Sequence, residues 1–546
     1  MNIFLYILFF YIIILSVIGY GLFFKTFFLK KNNVLDLGFI GFYGIFFLTL
    51  ISYVISIFSP ISENINLIIA FVGLVSFVFF QKKIKKYDFI LLFIIFFLLI
   101  FFIIGSKNHD DFPYYHYAYI DILNKERFEY GVGHFNHGFR THSSIFYLGS
   151  LLNLPLTNQF LIHLSPALFM GFSNFIFLKY LLKKKSVQIL KKEKLIISFT
   201  ILIFSFINIF FYRLAEHGTD RSGQVLSILF VYVLINIILT KDKKKINDFT
   251  QIFILLLILS ITLKPLFIVY SIFIFYIFLY KLDYSIILIK NQFRSITFYL
   301  SLFLLSLYFF TNLKNTGCLL YPLAITCLEN LEWSISLSEV KKMSLWYELW
   351  SKAGANPNFR VDNFEHYVSN FNWVPRWIDD YFFNKVSDFL LSLFFILLFF
   401  KFFFQKKENI KVLNLYDKRK IYFILICLIL LVFEWFLQHP SLRYGGYSII
   451  ALFSFLIFLK FYSKNLYFTS KKITIWIMII FSVFLLRNFI RIGDEMKQYN
   501  LNIFENASYS DNFKNKNLYK QIIKVKFCKE KCESDIKFNK NYFYKE

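Results

Sequence analysis

Apolar residues along this chain fall in blocks of about twenty, the length an α-helix needs to cross a hydrocarbon core of roughly 30 Å, and short polar gaps separate them. The pattern predicts an all-α, polytopic transmembrane helical bundle of about 12–14 membrane segments, with small periplasmic loop elements. Read in order, it divides into N-terminal spans (1–104), an outer loop (105–143), central spans (144–313), a Trp- and Tyr-rich periplasmic subdomain (314–385), C-terminal spans (386–490) and a lysine-rich tail (491–546). The first apolar block, Ile3 to Phe24, has no basic flank and no small-residue cleavage site, so it reads as a retained span.

Charge orients these spans. Lys30 and Lys31, then Lys82, Lys83, Lys85 and Lys86, then Lys183 to Lys185, Lys241 and Lys243 to Lys245, mark successive inner loops by the positive-inside rule. The N-terminus and the loop after Ile104 then lie outside, at the outer face of a bacterial inner membrane. Both flanks of the stretch between Lys245 and Lys281 read as inner, so Lys264-Pro265 marks the tip of a hairpin; a single tilted helix kinked at the proline is the alternative. The tail falls outside in spite of its lysines, which long translocated segments tolerate.

Composition changes little in this picture. The net charge of +26 would suggest nucleic acid in a soluble protein, but here the cations occupy short loops, and no basic domain with stacking aromatics exists to bind nucleic acid. The 78 phenylalanines, beside many Ile, Lys and Asn, fit AT-rich codon usage. Of five cysteines, Cys318 with Cys327 and Cys528 with Cys532 form close pairs on the outer side, where disulfides persist. Free thiols, or metal binding by the second pair, are the alternatives, although no further ligand pair lies nearby to complete a zinc site.

Candidate chemistry gathers at outer span ends. His109, Asp110, Asp111 and His116 follow the fourth span directly. A carboxylate at the apolar boundary is raised in pKa by desolvation and can accept a proton near neutrality, and these oxygens could ligate a divalent cation; helix capping accounts for one Asp. His134 and His137 read as loop polar groups or substrate contacts. A short outer connection carries His217, Asp220 and Arg221, and another carries His439, Pro440 and Arg443. The two arginines offer planar forks suited to phosphate, or anchor at headgroups. Trp333, Trp346, Trp350, Trp373 and Trp377 suit an interfacial belt, with sugar stacking as the alternative. No Walker A loop, dinucleotide-binding glycine pattern or GxSxG elbow is present, so ATP-driven transport and serine hydrolysis lack support.

Three segments, Asp110-Asp111 with Tyr115 and His116, Gly317 to Pro322, and Pro440 to Tyr444, resemble the GT-C superfamily of polytopic membrane glycosyltransferases, closest to its little-characterised bacterial branch. The resemblance spans most of the chain through short motifs, and four spans precede the acidic loop where that superfamily has one. It implies transfer of a sugar from a polyprenyl-phosphate-linked donor to a lipid, glycan or protein acceptor. Asp110 or Asp111 would be the catalytic base, and Arg443, with Arg221 or Lys264, would hold the phosphate. Membrane lipids and the donor are the implied partners, and no cofactor beyond a possible divalent cation is required. A flippase or transporter, and a surface-polysaccharide polymerase or ligase, are the competing classes; the first would place its ionisable groups near mid-bilayer on broken helices.

Overall fold

The computed structural model describes residues 1–545 apart from 30–35, 106–110, 128, 158, 184–190, 214–218, 281, 357, 406–417, 463–465, 508–517, 528–534 and 540. Twelve of the described helices are long and apolar enough to cross a membrane, and two shorter apolar helices, Pro265–Leu279 and Tyr422–Gln438, accompany them. The chain is a multi-pass helical membrane protein, the architecture that satisfies every backbone polar group within each span.

The N-terminal spans are α1 (Ile3–Phe28), α2 (Leu37–Phe58), α3 (Glu63–Phe80) and α4 (Lys86–Ile103). Asp36 starts α2 by accepting from the amides of Gly38 and Phe39, which satisfies donors that a helix start leaves open. α1 packs on both α2 and α3. Its approach to α3 depends on two glycines: a β-carbon on Gly19 would stand 1.9 Å from the Gly73 carbonyl oxygen. Between membrane helices, where lipid is as apolar as leucine, such close backbone contact supplies the attraction.

The centre of the bundle is α5 (Leu164–Leu182), α6 (Lys191–Phe210), α7 (Thr219–Leu239) and α8 (Lys243–Leu263). Reciprocal amide bonds between Asn174 and Asn208, 3.0 and 2.9 Å, tie α5 to α6. α8 ends at Lys264, whose extended backbone (φ −154°, ψ 121°) follows from the steric demand of the next residue, Pro265. Residues Pro265–Ser271 make a tight helical stretch, followed by α9 (Ile272–Tyr280), α10 (Leu282–Phe293) and α11 (Ile296–Thr316). Gln292 near the end of α10 donates to Asn247 near the start of α8 at 3.0 Å. The chain has thus returned to the level at which α8 began, which is the hairpin and not the single tilted helix.

Residues 317–386 form a small cap with a satellite core of Cys318, Tyr321, Ile335 and Val340. Cys318 and Cys327 are joined in a disulfide; Cys528 and Cys532 lie outside the described residues, and Cys427 is buried in a span. The C-terminal spans are α12 (Ser387–Phe404), α13 (Lys418–Gln438), α14 (Tyr447–Tyr462) and α15 (Ser470–Tyr499). α15 runs beyond the predicted boundary at residue 490 because one face of its extension stays packed: Arg491, Ile492 and Glu495 are buried while Asp494 and Lys497 are exposed.

The tail folds back onto the first large loop. Lys526 lies 3.2 Å from both Glu126 and Glu129, and the Phe543 amide donates to the Tyr130 carbonyl at 2.9 Å. Gly131 in that loop donates to the carbonyl of Lys314 at the end of α11. The acidic loop, the disulfide-bearing cap and the tail therefore share one end of the bundle, the loop-rich end.

Candidate functional site

Asp220 is the second residue of α7, where a carboxylate is favoured by the helix dipole. It is 3% exposed and both of its oxygens are engaged by cations. Lys264 pairs with Oδ1, and Arg443 Nε donates to Oδ2 at 3.1 Å. Lys264 reaches this position because the pre-proline backbone turns it out of the α8 spiral, and its ammonium also lies over the Tyr444 ring, 4.3 Å from the centroid. Such a contact with an aromatic face stabilises a cation without consuming its hydrogen-bond donors.

Arg443 sits on the irregular turn Leu442–Gly446, where Tyr444 (φ −85°, ψ 48°) and Gly445 (φ 88°, ψ −12°) leave helical geometry. Only glycine occupies that positive φ without steric cost. The turn is supported from outside. Gln224, one helical turn beyond Asp220 on α7, donates to the Arg443 carbonyl and accepts from the Ser448 amide, each at 3.1 Å. Trp377 donates to the Pro440 carbonyl and Trp435 to the Ser441 carbonyl, both at 2.9 Å, while the Tyr381 hydroxyl accepts from the Leu442 amide at 2.8 Å. Trp377 is thus a strut of the site, and Trp373 beside it is buried.

Asp111 opens the π-helical turn Phe112–His116 and brings Oδ2 to 3.8 Å from Arg443 Nη2. That separation is an ion pair without a well-formed hydrogen bond. Tyr115, on the same turn, packs against Gly138. Burial, then the neighbouring Asp111 carboxylate, push its hydroxyl well above the ordinary phenol range, so it stays a neutral donor. His439 behaves oppositely: burial, then Lys264 and Lys352, push it down to about 4, which keeps the imidazole neutral.

The sequence-predicted residues separate accordingly. Asp111, Asp220, Lys264 and Arg443 converge on one cluster. His116 is buried against Tyr115 and Phe146, with ring centroids 4.2 and 5.0 Å away. Arg221 points elsewhere: it donates to the Arg213 carbonyl just past the end of α6 and lies over Phe211. His109, Asp110 and His217 lie outside the described residues. For the expected divalent cation, no group of three or more His, Cys, Asp or Glu side chains gathers among the described residues. Gln224, Tyr381 and Trp435 were not visible as site residues in the sequence, where Tyr444 stood only as the end of the Pro440 to Tyr444 segment; the one available signal for Gln224 was its spacing of four from Asp220, which puts both on one helix face.

A family model described as a domain of unknown function (DUF8201) matches residues 3–450. The chain belongs to the DUF8201 family. The matched region holds every member of the cluster, Asp111, Asp220, Lys264 and Arg443, together with Gln224 and Tyr444, whereas most of α14, all of α15 and the tail lie beyond it. No curated protein and no solved structure matches the chain.

Proposed function

We propose that this DUF8201 member is a GT-C-type glycosyltransferase. It would transfer a sugar from a polyprenyl-phosphate-linked donor to a lipid, glycan or protein acceptor at the outer face of a bacterial inner membrane. The observation that supports this reading is the pairing of Asp220 with both Lys264 and Arg443, opposite Asp111, at the end of the bundle that carries the loops and the disulfide. In this reading a carboxylate of the Asp110-Asp111 pair takes the proton of the acceptor hydroxyl. The acceptor oxygen forms its bond to the anomeric carbon of the sugar, and the bond from that carbon to the phosphate oxygen breaks, its electron pair passing to the phosphate. Lys264 and Arg443 stabilise the charge that develops there. Donor lipid would reach them laterally from the bilayer.

A transporter would concentrate ionisable groups half-way through the bundle on interrupted helices. The break at Lys264-Pro265 instead comes at the end of a 21-residue span and joins the first turn of α7. The test is Asp110→Asn and Asp111→Asn, made singly in cells, with glycan and glycolipid composition as readout. Loss of a product in either variant is expected. Unchanged products with both variants well expressed overturn the reading, and if Arg443→Ala alone abolishes product, a polysaccharide ligase takes its place.

A further inference from the structure

Among the described residues, two carboxylates, Asp111 and Asp220, face two cations, Lys264 and Arg443. An anion that approaches such a cluster meets repulsion as well as attraction, so it binds well only if a carboxylate withdraws. The two carboxylates are not equally able to do so. The Asp220 side chain is 4% exposed, accepts from cations on both oxygens and is fixed by the first turn of α7; moving it would leave a buried charge unpaired. The Asp111 side chain is 28% exposed, and its 3.8 Å contact with Arg443 Nη2 is the longest of the three cation–carboxylate distances. Arg443 itself is held in place, its Nε by Asp220 and its backbone by Gln224.

We propose that the site takes its anionic ligand by carboxylate exchange: the phosphate of the lipid-linked donor replaces Asp111 on Arg443, while Asp220 keeps Arg443 and Lys264 in position. This rests on the glycosyltransferase reading and adds an order of events to it. While Asp111 faces Arg443, its carboxylate is occupied by the guanidinium. Donor phosphate takes over the Nη2 side of the guanidinium, whose fork matches phosphate oxygens, and the displaced carboxylate is released to meet the acceptor hydroxyl. The donor therefore binds first, and its arrival prepares the base for the acceptor.

The experiment uses the full chain in lipid nanodiscs and measures binding of a long-chain polyprenyl phosphate, the uncharged polyprenol and inorganic phosphate. Wild type binds the polyprenyl phosphate and not the polyprenol. Asp111→Asn, which removes the competing charge, binds it about 3- to 10-fold more tightly, a gain of about 0.7–1.4 kcal/mol. Asp111→Glu, whose extra methylene closes the gap to Arg443, binds it more weakly than wild type. The opposite directions of these two variants separate exchange from a general effect of local charge, and a folding defect would weaken both. If wild type binds but Asp111→Asn does not bind more tightly, or Asp111→Glu does not bind more weakly, exchange is overturned while the donor assignment stands. If wild type does not bind polyprenyl phosphate, or binds inorganic phosphate as tightly, the lipid-donor reading itself falls.

Discussion

Gln224 acts through where its two polar ends land. It is a neutral residue on a membrane helix, 1% exposed, and its amide clasps the irregular turn by donating to the Arg443 carbonyl and accepting from the Ser448 amide. Gln224→Leu keeps the volume but removes both bonds, which costs about 1–3 kcal/mol for each buried polar group whose bond is lost. The expected outcome is a lowered unfolding midpoint of the purified protein together with loss of the cellular product. Full product at normal expression would show that Arg443 needs no such support. The charged members of the site were legible in the sequence because ionisable groups at span ends are expensive to keep and so stand out. Their partnership was not, since Asp220 lies 44 residues from Lys264 and 223 from Arg443. Gln224 was not legible at all, because a single buried amide has no periodicity or charge to mark it.

At the level of helices, breaks written by a single residue were readable and ends set by distant contacts were not. Pro265 announces the end of α8 through its own sterics, but the choice between a hairpin and a kinked single helix needed the Gln292–Asn247 contact. The end of α15 depends on a partner far away in the chain. Arg491 donates to the carbonyls of Phe101, Ile104 and Gly105 at 2.7, 2.9 and 3.1 Å, satisfying the C-terminal end of α4 just before the His109 to Asp111 segment. It also pairs with Glu495 at 2.8 Å, both side chains being buried. Removing one member of such a pair costs about 3–5 kcal/mol, whereas replacing both with apolar residues of similar volume costs far less. Arg491→Met is therefore expected to destabilise strongly, and Glu495→Met added to it should recover part of the loss. Thermal unfolding of the single and double variants checks this; a double variant no better than the single one would show that the carbonyl cap, and not the stranded Glu495, dominates.

Over the whole molecule, the apolar blocks carry the number of spans and their order, while the way loops from the two termini meet at one end comes from contacts such as Lys526 with Glu126 and Phe543 with Tyr130. The same end encloses a histidine that ties the stability of the assembly to pH. His142 is 1% exposed and surrounded by Tyr53, Tyr119, Tyr147 and Tyr308, whose ring centroids lie 6.1, 6.3, 5.9 and 4.7 Å away. These four rings come from α2, the loop helix Tyr117–Lys125, the segment Ser144–Ser150 and α11. Burial holds the imidazole down at about 3 against an ordinary 6.5, opposed only in part by the Asn312 amide. Above pH 6.5 the group is neutral in both folded and unfolded chains, and its contribution is fully present. As pH falls from there towards 3, the unfolded chain takes up a proton that the folded one refuses, so stability is lost by about 1.4 kcal/mol per unit. His439 adds a loss of the same sign over a narrower window, from 6.5 to about 4. His142→Phe removes the proton-binding group and keeps a flat ring among the tyrosines. Because neither ring nitrogen makes a well-formed hydrogen bond among the described residues, that variant should unfold near the wild-type temperature at pH 7. At about pH 5 it should exceed wild type by about 2 kcal/mol. Unfolding curves in detergent across that range decide the matter: parallel pH dependences for the two proteins would mean that His142 titrates normally in the folded chain and that the tyrosine enclosure opens to water.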